Sequence, residues 1–220
     1  MIVVVGAEKG GVGKTLLATN IAACAVSDGF DVCLMDTDPQ GSSSAWGRIR
    51  RADPSLKQFP IIAIPENPTN EITSMADKYD LIVIDIGAQN YLTMLNTAAI
   101  ADLILVPCGS DQYEGESTMR VMEMLKAMDY KHKKKKVPAF IVLNRLSTNS
   151  KSKEPEATRA FFEEDGYPVF ESELKDRSSW KNSRRAGMAM HEMTGKYGDK
   201  KATLEIKNLY SEIKRFGESL

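Results

Sequence analysis

Lys9-Gly10-Gly11-Val12-Gly13-Lys14-Thr15 places three glycines, two lysines and a threonine hydroxyl in one short stretch. Glycine lets the backbone reach positive φ and approach a ligand closely. Successive N–H groups pointing inward, capped by a helix N-terminus, make a concave anion trap. Lys14 adds a point charge for β- and γ-phosphates, and the Thr15 hydroxyl is a magnesium ligand. ATP or GTP suits that chemistry; a plain Gly-rich turn is the alternative. Carboxylates stand at two further places, in Asp36-Thr37-Asp38-Pro39-Gln40-Gly41 and at Asp85 behind Leu81-Ile82-Val83-Ile84. Ordinary turn chemistry competes with a catalytic reading at both.

Elements must hold these residues in place. The apolar run Ile2 to Val5 precedes the glycine stretch and an apolar helical pattern from Leu16 to Val26 follows it, so the order is strand, loop, helix. Further on, short β-rich runs alternate with helical patterns. Strands are predicted near 2–5, 31–36, 60–64, 80–86, 102–107, 137–143 and 167–170. Helices are predicted near 14–27, 42–51, 70–78, 91–100, 114–129, 154–165, 178–187 and 202–218. The alternation argues an α/β fold, a mostly parallel twisted sheet flanked by helices. Continuous apolar runs such as Leu103-Ile104-Leu105-Val106 fit strands buried on both faces. Ligands in such sheets bind beyond the carboxyl ends of the strands, where both acidic motifs fall.

The usual P-loop reads G-x-x-x-x-G-K-[ST], and here Glu8 stands where that pattern opens with glycine. What remains, with a second lysine at its start, resembles the deviant Walker A motif KGGxGKT of the ParA/MinD family of P-loop ATPases. The resemblance spans nearly the whole chain and implies a role for each matched position. Lys9, Gly10, Gly11, Val12, Gly13, Lys14, Thr15 and Leu16 would bind nucleotide, with Lys9 reaching the partner subunit's nucleotide across a dimer. Asp38, in the family's DxDPQ pattern, would position or polarise the attacking water, joining Lys9 and Lys14 as the catalytic set. Asp36 would support the magnesium shell, and Asp85, closing a Walker B strand, would join Thr15 behind the ion; magnesium takes few protein ligands. Asn144, at the end of a strand, would read the adenine base, an amide pairing guanine does not satisfy; a turn asparagine is the other reading. Leu174-x-x-Arg177-x-x-Trp180 and Gly187 resemble the loop and helix that pack near the nucleotide. After Asp85 the chain reads Ile86-Gly87-Ala88-Gln89-Asn90, where the family usually has DxPP or DGAG.

At 220 residues the chain fits one domain, residues 1–220, and its 42% hydrophobic and 27% charged content is that of a soluble globular protein. No apolar run reaches the ~20 residues of a membrane span. The chain opens on a strand without the pattern of a signal peptide, which points to the cytoplasm. Cys24, Cys33 and Cys108 lie in apolar contexts without a C-x-x-C pair, favouring buried reduced thiols over a cluster of the nitrogenase iron-protein kind.

Net charge is −1, yet residues 1–130 carry 9 Lys/Arg against 17 Asp/Glu and residues 131–220 carry 20 against 13. The basic character gathers in Lys131 to Lys136 and between Lys175 and Lys201. Lys133, Lys134, Lys135, Lys136, Arg184 and Arg185 are candidate DNA contacts; a solvated surface is the plainer reading. Phosphate neutralisation would give sequence-independent, salt-sensitive affinity. No helix-turn-helix precedes the loop, which argues against operator binding. Ile206, Leu209, Ile213 and Phe216 form one apolar face of the last helix. That face suits packing on the sheet, and Glu205, Glu212 and Glu218 argue against an anionic membrane.

The expected function is that of a small ParA-type partition ATPase, nucleoid-associated and dependent on ATP and Mg2+. By the resemblance it forms a homodimer with ATP, binds DNA non-specifically and is released when a centromere-binding ParB-like adaptor stimulates hydrolysis. A MinD-like membrane-cycling ATPase is the alternative. A metabolic enzyme of the dethiobiotin-synthetase kind is disfavoured by Lys9 and DxDPQ.

Overall fold

The computed structural model describes residues 1–64, 68–88, 90–128 and 138–220. Its seven strands are β1 (Ile2–Val5), β2 (Val32–Asp36), β3 (Ile61–Ala63), β4 (Leu81–Asp85), β5 (Leu103–Cys108), β6 (Ala139–Leu146) and β7 (Val169–Lys175). They form one sheet in the order β3-β2-β4-β1-β5-β6-β7, and every pairing is parallel. The expected "mostly parallel" sheet is parallel throughout the described residues.

Helices α1 (Lys14–Ser27), α2 (Ser42–Arg51), α7 (Ser178–Ala186) and α8 (Lys200–Gly217) cover one face. Helices α3 (Thr69–Met75), α4 (Tyr91–Ala98), α5 (Gln112–Ala127) and α6 (Glu154–Glu163) cover the other. Side chains alternate across a strand, so one strand feeds two cores. Val3, Val5, Leu103 and Leu105 enter the α1/α8 core, while Val4, Ile104 and Val106 enter that of α4 and α5. The apolar face of α8 is used inside: Ile206, Leu209 and Ile213 are at most 2% exposed. Packing on the sheet is therefore what that face does. The three cysteines are buried free thiols, and burial pushes Cys24 up to about 12 and Cys33 and Cys108 to about 11.

Register sets up the site. Asp85 pairs with Val5 on one side and Asp36 on the other. Adjacent strands lie about 4.8 Å apart, so two carboxylates and the start of the glycine loop come level at the carboxyl end of the sheet. Strands β6 and β7 run past their predicted ends, and the pairing between them shifts register, an irregularity an apolar run does not reveal.

Candidate nucleotide-binding site

The loop from Gly6 to Gly13 leaves β1 and enters α1 through Gly11 at φ 80° and Gly13 at φ 101°, a region that favours glycine. Space forces the same choice at Gly13, where an added Cβ would stand 2.1 Å from Asn144 Nδ2. The two lysines part here. Lys14 is buried and donates from Nζ to the Lys9 carbonyl at 2.8 Å, arching over the loop. Burial pulls its ammonium below the usual lysine range, with the charges of Asp85 and Asp38 opposing. Lys9 is exposed. Glu8, in the place of the first glycine, pairs with Arg120 of α5 at 3.3 Å. Burial would raise its carboxyl, but Arg120 and Ser117 outweigh that and hold it below the usual range.

Asp85 lies between two hydroxyls: Thr15 Oγ1 and Ser43 Oγ both donate to its Oδ2 at 2.7 Å. Burial pushes its carboxyl up to about 7, against those hydrogen bonds and Lys14, while the charge of Asp36 adds to the rise. Asp36, also buried, accepts from the backbone N–H of Asp38 at 3.2 Å and of Ser44 at 2.7 Å, which anchors the start of α2. Asp38 is partly exposed in the cleft, its Oδ1 accepting from Gln40 N–H at 2.9 Å. Gly87 lets the loop after β4 close on it, since a Cβ there would come within 3.0 Å of Asp38 Cα. Gln89 of the same loop lies outside the described residues.

Magnesium fits this donor set. Thr15 donates its proton to Asp85, which leaves the hydroxyl lone pairs free for a hard cation, and Asp85 stands directly behind. Among the described residues no group of three His, Cys, Asp or Glu gathers as a cage.

At the end of β6, Asn144 is 1% exposed and donates from Nδ2 to the Val12 carbonyl at 2.7 Å. The next residue, Arg145, sits at φ 58° and donates from Nη1 to the Gly11 carbonyl at 3.1 Å. The sequence offers Asn144 as a contact to the base, whereas the contact seen here is its amide on the Val12 carbonyl; Arg145 carries no such signal, because nothing in a strand pattern marks a left-handed residue.

A cleft of about 600 Å³ opens over the loop. Gly10, Gly11, Gly13, Lys14, Thr15, Leu16, Asp38 and Asn144 line it, and so do Trp46 of α2 and Arg177, Trp180, Arg184 and Arg185 around α7. Arg184 and Arg185, candidate DNA contacts in the sequence, stand exposed on the wall of the cleft. Lys133 to Lys136 lie outside the described residues. Gly187, at φ 65°, ends α7 against α2, where a Cβ would meet Arg50 N at 2.4 Å. The guanidinium of Arg50, buried under Trp46 and Phe59, joins the helices further by donating to Gly187 O at 3.3 Å and to both Glu192 oxygens at 2.7 Å. Neither Ser43 nor the Arg50–Glu192 pair carries a sequence signal.

A family model described as the CobQ/CobB/MinD/ParA nucleotide binding domain matches residues 3–188. The chain is 23% identical over 212 residues to the Protein ParA of Rhizobium radiobacter, covering 93% of this chain and 91% of that one. It is 26% identical over 211 residues to the Maintenance of carboxysome distribution protein A of Halothiobacillus neapolitanus, covering 93% and 92%. Among solved structures, an ATP complex of Cyanothece McdA superposes with a TM-score of 0.75 at 15% identity, over 98% of this chain and 95% of that one.

Proposed function

We propose, from the premise that this chain belongs to the CobQ/CobB/MinD/ParA nucleotide-binding family, that it is a partition-type ATPase of one domain, residues 1–220. It binds ATP with Mg2+, dimerises on it, associates with DNA without sequence preference and lets go on hydrolysis stimulated by a ParB-like adaptor. The observation that carries this reading is the parting of two lysines in one loop. Lys14 turns into the cleft, where a bound β- and γ-phosphate would lie, while Lys9 stands exposed. An exposed ammonium beside a phosphate site is free to meet a second copy's nucleotide.

The chemistry asks for positioning and charge neutralisation. The loop N–H groups, Lys14 and the N-terminus of α1 hold the phosphates, and Asp38 orients the water. Thr15 and Asp85 would hold the magnesium, with Asp36 behind them; the ion supplies charge neutralisation at the phosphate oxygens. Arg184 and Arg185, on the wall of the same cleft, and Lys133 to Lys136 would contact DNA phosphates in the dimer, as befits a nucleoid-associated protein of the cytoplasm. Burial of Ile206, Leu209 and Ile213 of α8 supports the partition reading over membrane cycling.

Light scattering with magnesium and a non-hydrolysable ATP analogue tests the dimer. Wild type goes from monomer to dimer and Lys9→Ala stays monomeric; a Lys9→Ala protein that dimerises as wild type refutes the cross-subunit role. The dimer binds unrelated duplexes equally. Arg184→Ala with Arg185→Ala lowers that affinity and flattens its salt dependence by roughly 0.9 for each phosphate left unneutralised. An unchanged slope removes both residues from the DNA face, and nucleotide-dependent sedimentation with anionic vesicles would favour membrane cycling.

A further inference from the structure

Among the described residues Arg145 is the one non-glycine with a left-handed backbone, at φ 58°. An L side chain disfavours that region, so something must hold it there. The distortion coincides with a bulge: Leu143 pairs with Glu173 and Leu146 with Lys175, so three steps along β6 match two along β7. In a regular strand Asn144 and Arg145 would point to opposite faces of the sheet. With the extra residue both reach the glycine loop, Asn144 Nδ2 to Val12 O at 2.7 Å and Arg145 Nη1 to Gly11 O at 3.1 Å. Bulges beside active sites often serve to re-aim a side chain in this way.

Two consecutive carbonyls of the loop are thereby drawn outward. A peptide unit is planar, so fixing a carbonyl fixes the N–H of the residue that follows on the opposite side. The Gly11 and Val12 carbonyls thus govern the N–H groups of Val12 and Gly13, at the centre of the anion trap. Arg145 is itself braced. Its Nη1 lies 3.3 Å from Glu114 Oε1, and Glu114 Oε2 accepts from Gly109 N–H at 2.9 Å, which ties the loop to the junction of β5 and α5.

We propose that Arg145 is a positioning residue for phosphate binding, holding the Gly11 peptide in the orientation that presents its neighbours' N–H groups to the nucleotide. This rests on the reading of the cleft as a nucleotide site. Arg145 also lines the cleft, but the loop contact it makes is to the Gly11 carbonyl, and its strained backbone is retained because it brings the guanidinium within reach of that carbonyl.

The test compares wild type, Arg145→Gly and Arg145→Lys by titration with a fluorescent ATP analogue and by thermal unfolding without nucleotide. Glycine accepts φ 58° without strain, so Arg145→Gly unfolds at the wild-type temperature or above it. It nevertheless binds the analogue about tenfold more weakly, the factor one charge-assisted hydrogen bond carries. Arg145→Lys keeps a cationic donor and stays within about threefold of wild type. Affinity then follows the donor while stability follows the backbone. The proposal is overturned if Arg145→Gly binds as wild type, if its loss of affinity accompanies a matching loss of stability, or if lysine binds as weakly as glycine. Wild type that binds no ATP overturns the nucleotide reading and this role together, whereas wild-type binding unaffected by Arg145→Gly overturns this role alone.

Discussion

Glu192→Ala isolates the junction of α2 and α7. Arg50 is 1% exposed and Glu192 11%, and two bonds of 2.7 Å join them. Glu192 Oε2 also accepts the Ala189 N–H at 2.7 Å. Without the carboxylate, the guanidinium stays buried with only carbonyl partners, Lys57 O at 2.7 and 3.0 Å and Gly187 O at 3.3 Å. Leaving one half of a buried pair uncompensated costs about 3–5 kcal/mol. The partial exposure of Glu192 lets water reach the gap, so the lower figure, about 3 kcal/mol, is expected. For a chain of this size each kcal/mol moves Tm by about 2–4 °C, which gives a fall of about 6–12 °C. Differential scanning calorimetry reads it directly, with urea unfolding at fixed pH as a second measure. Glu192→Gln keeps an acceptor for Ala189 and falls between wild type and alanine. A fall below about 2 °C for Glu192→Ala would refute the reasoning, since the backbone carbonyls and the rings of Trp46 and Phe59 would then suffice to hold the charge.

Lys14→Ala weakens ATP binding by about 10- to 100-fold, the range of charge-assisted hydrogen bonds. Asp38→Ala keeps affinity within about threefold but loses turnover; equal loss of affinity in both, by nucleotide titration beside single-turnover hydrolysis, contradicts their assignment. His191 lies between Ser27 Oγ at 2.9 Å and Cys24 Sγ at 3.4 Å, and burial pulls it below 6.5, against the pull of Glu192. The unfolded chain then takes up the proton first as pH drops, so this contribution to stability is complete above pH 6.5 and is lost as pH falls through the lowered value. His191→Gln flattens that part of the stability profile measured by urea unfolding, and an unchanged profile assigns it to other groups.

What was legible from residue order alone is what is local in the chain. Strand, glycine loop and helix follow one another covalently, so that local path was legible, and α1 and α2 begin and end at the predicted residues. The acidic ends of β2 and β4 were legible for the same reason, and the apolar face of Ile206, Leu209 and Ile213 announced a packed helix. Extents were less visible where polarity hid a strand, as in Glu171-Ser172-Glu173 of β7, or where short 3-10 turns at Met190–Glu192 and Gly195–Tyr197 replaced regular structure. Which distant groups meet was settled in three dimensions. Parallel register brought Asp36 level with Asp85, and α2 then carried Ser43 onto the same oxygen that Thr15 holds. The bulge in β6 turned Arg145 toward the loop, and Arg50 found Glu192 across 142 positions of sequence. Such contacts depend on how closely packed elements settle against one another in space. No residue spacing encodes them.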